Sequence, residues 1–322
     1  MTRKTEEQLF AAMNRQVGKT IHDYDLIQDG DRIMVAMSGG KDSLFLLHIL
    51  QEFQKKAPIH FELVPVHLDQ GQPGHDPAPL KELVQSFGYE LKVEYQDTYS
   101  TVLELTPEGK TYCAVCSRMR RGVLYRLARE LGCHRIALGH HREDLLSTFL
   151  MNAFFNGKLG SMPPVYRIEE GDLHVIRPLA GVSEDDIRAF VEIQGWTVLP
   201  CNLCGSQEGA RRKQMETMLA NLEKTSPQIK HSLLAALGNI HRDELLDQSL
   251  WTGSRRPEKA AQESLKASTL TWKAIILSVI RGIYQTLRIS GIALTEPAAP
   301  PPPLILQDRR RARPFLISRH FQ

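Results

Sequence analysis

Ser38-Gly39-Gly40-Lys41-Asp42-Ser43 gathers two glycines, two hydroxyls, a lysine and a carboxylate into six consecutive residues. Before it, Arg32-Ile33-Met34-Val35-Ala36-Met37 reads as a buried strand. After it, Leu44 to Leu50 reads as a helix. A glycine-rich turn between the two aims backbone N–H groups and the positive end of the helix dipole at one point, which holds phosphate. The spacing is not that of a Walker loop, which needs four residues between its first glycine and a Gly-Lys-Ser/Thr end. Nor is it the G-x-G-x-x-G of a dinucleotide fold. The plain alternative is a strand–turn–helix connection with glycine at the turn and serine at the cap.

The second chemical feature is sulfur. Four of the five cysteines fall in two Cys-x-x-Cys pairs, Cys113/Cys116 and Cys201/Cys204. Without an export signal, a disulfide framework is disfavoured. Cys113 and Cys116 open a helix, whose dipole favours thiolate, the form that binds metal or attacks sulfur. Spacing alone leaves three readings: a structural zinc site, an iron–sulfur cluster, or a redox dithiol. Cys133, alone before a strand, reads as a buried structural thiol.

These residues need a scaffold. A leading helix is expected over about 6–27, where Leu9, Met13, Val17 and Ile21 recur every four residues. Strands follow the phosphate-type loop near Phe61–Leu68, Leu91–Tyr95 and Arg135–Gly139, with helical segments between. That alternation predicts an α/β fold, a doubly wound parallel sheet with its ligands at the carboxyl ends of the strands. On the cysteine helix, Val115, Met119, Val123, Leu127 and Leu131 are expected to form the buried face. Arg118, Arg120, Arg121, Arg126 and Arg129 on that helix, and Arg211, Arg212 and Lys213 after the second pair, are either a solvated face or a holder of nucleic-acid backbone.

Composition sets the limits. The chain has 322 residues, 42% hydrophobic and 24% charged, with a net charge of +3. That is a globular composition, and any nucleic-acid surface must be local. The first residues lack the apolar core of a signal peptide, and no charge-free apolar run reaches membrane-span length, so a cytoplasmic protein without membrane contact is expected. Composition changes near Thr252–Pro257. Beyond it lie an apolar segment, Leu270 to Leu294, broken by Lys273, Arg281 and Arg288, a proline run from Pro300 to Pro303, and the cluster Arg309-Arg310-Arg311-Ala312-Arg313. This end is read as weakly ordered.

Ser38–Ser43 resembles the signature of the PP-loop ATP pyrophosphatases. Within that superfamily, three further stretches resemble the tRNA 2-thiocytidine synthetases: Cys113-Ala-Val-Cys116-Ser-Arg-Met-Arg-Arg-Gly-Val-Leu-Tyr125, Leu138-Gly139-His140-His141-Arg142-Glu143-Asp144, and Pro200-Cys201-Asn-Leu-Cys204-Gly-Ser-Gln207. The likeness spans roughly residues 8 to 250. It implies the PP-loop ATP pyrophosphatase fold and ATP-dependent 2-thiolation of cytidine 32 in tRNA, by adenylation of the C2 oxygen and sulfur transfer through a [4Fe–4S] cluster. It implies ATP and Mg²⁺, with Ser38, Gly39, Gly40, Lys41, Asp42, Ser43, Gly139 and His140 at the nucleotide and Lys41, Asp42 and Asp144 in catalysis. Cys113, Cys116 and Cys204 would hold the cluster, leaving Cys201 spare. A persulfide from a cysteine desulfurase, or free sulfide, would supply sulfur to a homodimer. The implied organisation is a leading helix (1–28), the PP-loop domain with the iron–sulfur site (29–255) and an atypical extension (256–322). The competing functions are another PP-loop ligase, such as lysidine synthase or an amidotransferase synthetase, and a zinc-stabilised RNA-binding protein.

Overall fold

The computed structural model describes residues 5–105, 113–199, 211–247, 249 and 250, without the side chains at 113, 114 and 243. The chain divides into two units, Met1–Ile240 and His241–Gln322. In the second, the described residues form a 3₁₀ turn, Arg242–Glu244. The extension expected over 256–322 lies outside the described residues.

The first unit is built on one six-stranded sheet. Its strands are β1 (Arg32–Ala36), β2 (Glu62–Asp69), β3 (Lys92–Tyr95), β4 (Arg135–Ala137), β5 (Val165–Arg167) and β6 (His174–Ile176), in the order β3-β2-β1-β4-β6-β5. Neighbours run parallel, with Met34 opposite both Val64 and Ile136. The exception is β5, which pairs antiparallel with β6 through Tyr166 and Val175. The doubly wound sheet expected from the alternation of elements is therefore present, with one short antiparallel edge added. The winding changes direction between β1 and β4, because the chain goes from β1 outward to β2 and β3, then returns to the other side. Such a switch point leaves a crevice at the carboxyl ends of the strands.

Side-chain alternation along β1 shows how the layers form. Ile33 and Val35 face one side, packed with α1 (Glu6–Asp23), α2 (Lys41–Lys56) and α7 (Glu184–Gln194) through Leu9, Met13, Val17, Leu44, Ile187 and Phe190. Met34 faces the other side, against α5 (Cys113–Glu130) through Val123, Leu124 and Leu127. Between these, α3 (Ala78–Ser86) and α4 (Thr98–Leu105) flank β3 in sequence. A third, smaller core joins α6 (Arg142–Phe155), α8 (Arg211–Thr225) and α9 (Ile229–Leu237) through Leu146, Leu150, Met215 and Leu219.

Two expectations are corrected. The leading helix stops at Asp23, and Tyr24 caps it; the backbone then turns at Asp25, whose φ is +49°. On α5, Val123 and Leu127 are buried, but Val115, Met119 and Leu131 are only half-buried, while Cys116, Leu124 and Ala128 complete the inner face. A strict four-residue repeat advances about 40° beyond each full turn of a 3.6-residue helix, so it walks off the face it starts on.

Candidate functional site

The loop between β1 and α2 occupies the switch point. Gly39 has φ of +80°, a region that side chains other than glycine enter at a cost. It is also the place where another part of the chain comes closest. A Cβ at Gly39 would lie 2.8 Å from Leu199, whose backbone N–H donates to the Gly39 carbonyl at 2.9 Å. Gly40 caps α2, and the Ser43 hydroxyl donates back to its carbonyl at 2.8 Å. Ser38 Oγ accepts the Gly40 N–H at 3.3 Å. The loop is thus tied by its own hydroxyls, with the N-terminus of α2 facing the crevice.

Gly139, after β4, has an ordinary φ but no room for a side chain. A Cβ there would stand 3.0 Å from the Asp42 carbonyl carbon and 3.1 Å from Ser43 N. The β4–α6 turn therefore rests directly on the first turn of α2. Gly139→Ala should force these backbones apart by a few tenths of an ångström. It is expected to weaken ATP binding and turnover by roughly tenfold or more, read by calorimetry and by pyrophosphate release. Unchanged affinity would show that the contact does not set the loop's position.

Charged groups converge where these turns meet. Lys41 Nζ lies 3.0 Å from Asp42 Oδ2 and 3.0 Å from Glu184 Oε1. Asp42 Oδ1 is buried and accepts no hydrogen bond among the described residues; the ring of His141 stands 3.9 Å away. Burial raises the Asp42 pKa, against the opposing pull of His141 and Lys41. Asp144 does two things. Its Oδ2 accepts the His141 N–H at 3.1 Å, capping α6, and its Oδ1 accepts from Arg212 at 2.9 Å. Asp144 thus both ties off the first turn of α6 and pairs with α8.

His140 and His141 are driven in opposite directions. Burial disfavours charge on both. At His141, Glu143, Asp144, Asp42 and Glu184 outweigh it and hold the pKa up. At His140, burial, with Arg177 and Arg212 adding to it against Asp144, brings the pKa down to about 4. One imidazole is set to carry charge and its neighbour to stay neutral.

Glu143, Glu184 and Leu199 are the residues that sequence reasoning did not place at the site. Glu143 is buried and accepts the Glu184 N–H at 2.9 Å and Arg142 Nε at 3.0 Å. Lys230 of α9, also buried, lies 3.7 Å from it and 2.7 Å from Glu223. The only local signal for Glu184 is its place in an acidic first turn of a helix.

α5 brings Cys116 to the carboxyl edge of the sheet. Cys116 is 4% exposed, and its Sγ donates to Gln70 Oε1 at 3.5 Å, just past the carboxyl end of β2. Arg120 Nη2 approaches the same sulfur at 3.8 Å. Cys113 lies on α5 without a described side chain, and Cys201 and Cys204 lie outside the described residues. Cys133 is buried at the foot of α5, where burial pushes its thiol pKa up, as expected of a structural thiol. Of the basic residues, Arg126 is committed to Glu94 and Glu130, Arg129 to Asp172, and Arg212 to Asp144. Arg211 stacks on the Phe155 ring at 4.7 Å, and Arg118, Arg121 and Lys213 are exposed.

Residues 9–206 match the PP-loop domain family. A tRNA-cytidine(32) 2-sulfurtransferase of Anaeromyxobacter sp. (strain Fw109-5) is 50% identical over 236 residues, which are 73% of this chain and 78% of that protein. The chain belongs to the tRNA-cytidine(32) 2-sulfurtransferase family. Another relative under that name, from Paracidovorax citrulli (strain AAC00-1), is 51% identical over 73% of this chain and 76% of its own length. Among solved structures, the U34-tRNA thiolase NcsA from Methanococcus maripaludis with its [4Fe-4S] cluster aligns with a TM-score of 0.59. It is 23% identical, over 74% of this chain and 80% of that one, so the likeness is one of fold. For this family member, no helix among the described residues is long and apolar enough to cross a membrane.

Proposed function

We propose that this protein thiolates cytidine 32 of tRNA at C2, using ATP to activate the base. What carries the proposal is the convergence of a PP-loop and the Cys116 thiol on the same edge of one sheet, in a chain with sulfurtransferase relatives at about half identity. The C2 oxygen of cytidine is a poor leaving group. Its attack on the α-phosphate of ATP makes an adenylate and releases pyrophosphate; sulfur then replaces AMP at C2. The N–H groups at the start of α2, with Ser38, Gly39, Gly40 and Ser43, would cradle the pyrophosphate, and Lys41 would stabilise the charge that grows on it.

The residues fit Mg²⁺. A buried carboxylate oxygen without a donor, Asp42 Oδ1, suits a hard cation. Among the described residues no three His, Cys, Asp or Glu side chains form a complete metal site. Asp42 and Asp144 would therefore share the ion with phosphate oxygens and water, as Mg²⁺ prefers. Without the ion, Asp42 would instead take up a proton.

Cys116 fits a cluster ligand, being buried in the first turn of a helix with its sulfur between Gln70 and the Arg120 guanidinium. With Cys113 and Cys204 it would hold a [4Fe–4S] cluster, which supplies an iron free to carry the incoming sulfur. The tRNA backbone would lie along Arg118, Arg121, Arg211 and Lys213. The donor would be sulfide, or a persulfide-bearing protein such as a cysteine desulfurase with a thiol reductant supplying the two electrons that bring its outer sulfur to the sulfide level, and the enzyme a cytoplasmic homodimer.

The test is mass spectrometry of tRNA nucleosides from a deletion strain. Loss of 2-thiocytidine, restored by this chain, is expected. Restoration of lysidine, or of no modified base, would overturn the proposal. Zinc without iron or sulfide in anaerobically purified protein would favour a binding module instead.

A further inference from the structure

Arg177 follows β6 at the carboxyl edge of the sheet and is 6% exposed. A guanidinium taken out of water needs partners for its donors. Nη1 donates to the Pro163 carbonyl at 2.6 Å. The guanidinium carbon lies 5.2 Å from the centre of the Tyr166 ring, and the Tyr166 hydroxyl is 2.9 Å from that of Tyr125 on α5. Nε–H points at His140 Nδ1, 3.2 Å away.

That last contact has one chemical solution. Arginine nitrogens only donate, and the group stays charged in proteins, so His140 Nδ1 must present its lone pair. A neutral imidazole with a bare Nδ1 carries its single proton on Nε2. The charged and titratable groups around His140 are Asp144 from α6, Arg177 after β6, Arg212 from α8 and His141 beside it. Tyr166 and Tyr125 stand behind Arg177 and hold it in place.

We propose that Arg177 is a positioning residue that fixes His140 as the neutral Nε2–H tautomer, making it a hydrogen-bond donor to an oxygen of the bound nucleotide or base. Both of its routes to accepting a proton are closed, since Nδ1 is occupied by Arg177 and Nε2 already bears hydrogen. His140 therefore binds, and proton transfer falls to the carboxylates. The donor's target rests on the functional reading above; the tautomer does not.

The experiment is ¹⁵N NMR of the full chain labelled at histidine, with the His140 signals identified by their loss in His140→Gln. The wild type is expected to show one tautomer, with Nδ1 unprotonated and Nε2 protonated, held from roughly pH 8 to 6. Arg177→Met should give a mixture of tautomers and raise the protonation midpoint by about one pH unit or more. Arg177→Lys, which keeps the charge but not the fixed fork, should fall between. A proton on Nδ1 in the wild type, which needs no variant to observe, would overturn the proposal. So would an Arg177→Met protein that folds and keeps the single tautomer. Absence of thiolation alongside the expected tautomer would sink the activity and leave Arg177's role standing.

Discussion

Replacing Cys116 with alanine is expected to lower tRNA thiolation at least about 10³-fold while leaving ATP affinity within about twofold. The separation follows from the fold. The thiol is buried on α5 beside Gln70 and Arg120, past the carboxyl end of β2, whereas the PP-loop is built by β1, α2 and the β4–α6 turn. Removing one sulfur atom from a buried helix turn should cost only about 1 kcal/mol of stability, so loss of activity would not be loss of the fold. On the proposed cluster mechanism, the same variant should bind less iron and lose visible absorption. Because ligands act as a unit, Cys113→Ala and Cys204→Ala should be as damaging, and combining them should add little. Cys133→Ala is the control: its thiol is buried away from the crevice and should keep thiolation. Full activity in Cys116→Ala would end the cluster mechanism. Equal losses of ATP binding and thiolation would mean that Cys116 supports the loop instead.

The loop was legible in the sequence because its six residues and the two apolar runs around it are contiguous, so local spacing carries the signal. Gly139 was expected at the nucleotide; that its backbone rests on Asp42 and Ser43 was not visible in the sequence. The reason for Gly39 was hidden, since Leu199, whose side chain forbids a Cβ there, lies far along the chain. Lys41's second carboxylate, Glu184, was hidden for the same reason. The parallel sheet followed from alternating elements, but β5 and β6 have three residues each, too few for a period to show. The meaning of Arg177 needs the ring of Tyr166 and the nitrogen of His140, which only the fold brings to it. What remains local in sequence was readable; what depends on two strands ending side by side was not.

Glu143→Gln should destabilise the first unit by about 3 kcal/mol at neutral pH, with the deficit shrinking as pH falls. Burial by itself would raise the Glu143 pKa, but His141, Arg142 and the Glu184 N–H outweigh it and hold the carboxyl at about 2, below its ordinary 4.5. A carboxyl depressed by that much contributes about 3 kcal/mol. The contribution is complete above pH 4.5, where the unfolded chain is ionised, and is lost as pH falls towards the folded value of about 2. Glutamine can still accept the Glu184 N–H, but its amide then turns hydrogens toward the donors of Arg142 and Lys230, leaving buried charge uncompensated. Urea unfolding of both proteins at several pH values checks this, and a deficit that stays constant down to pH 3 would show that charge on Glu143 is not the cause. The carboxylate does more than stabilise. It holds the start of α7, which carries Glu184, and Glu184 holds Lys41. A weaker grip on ATP in Glu143→Gln, measured where the protein is still folded, is therefore expected from the same bond that sets its acid limb.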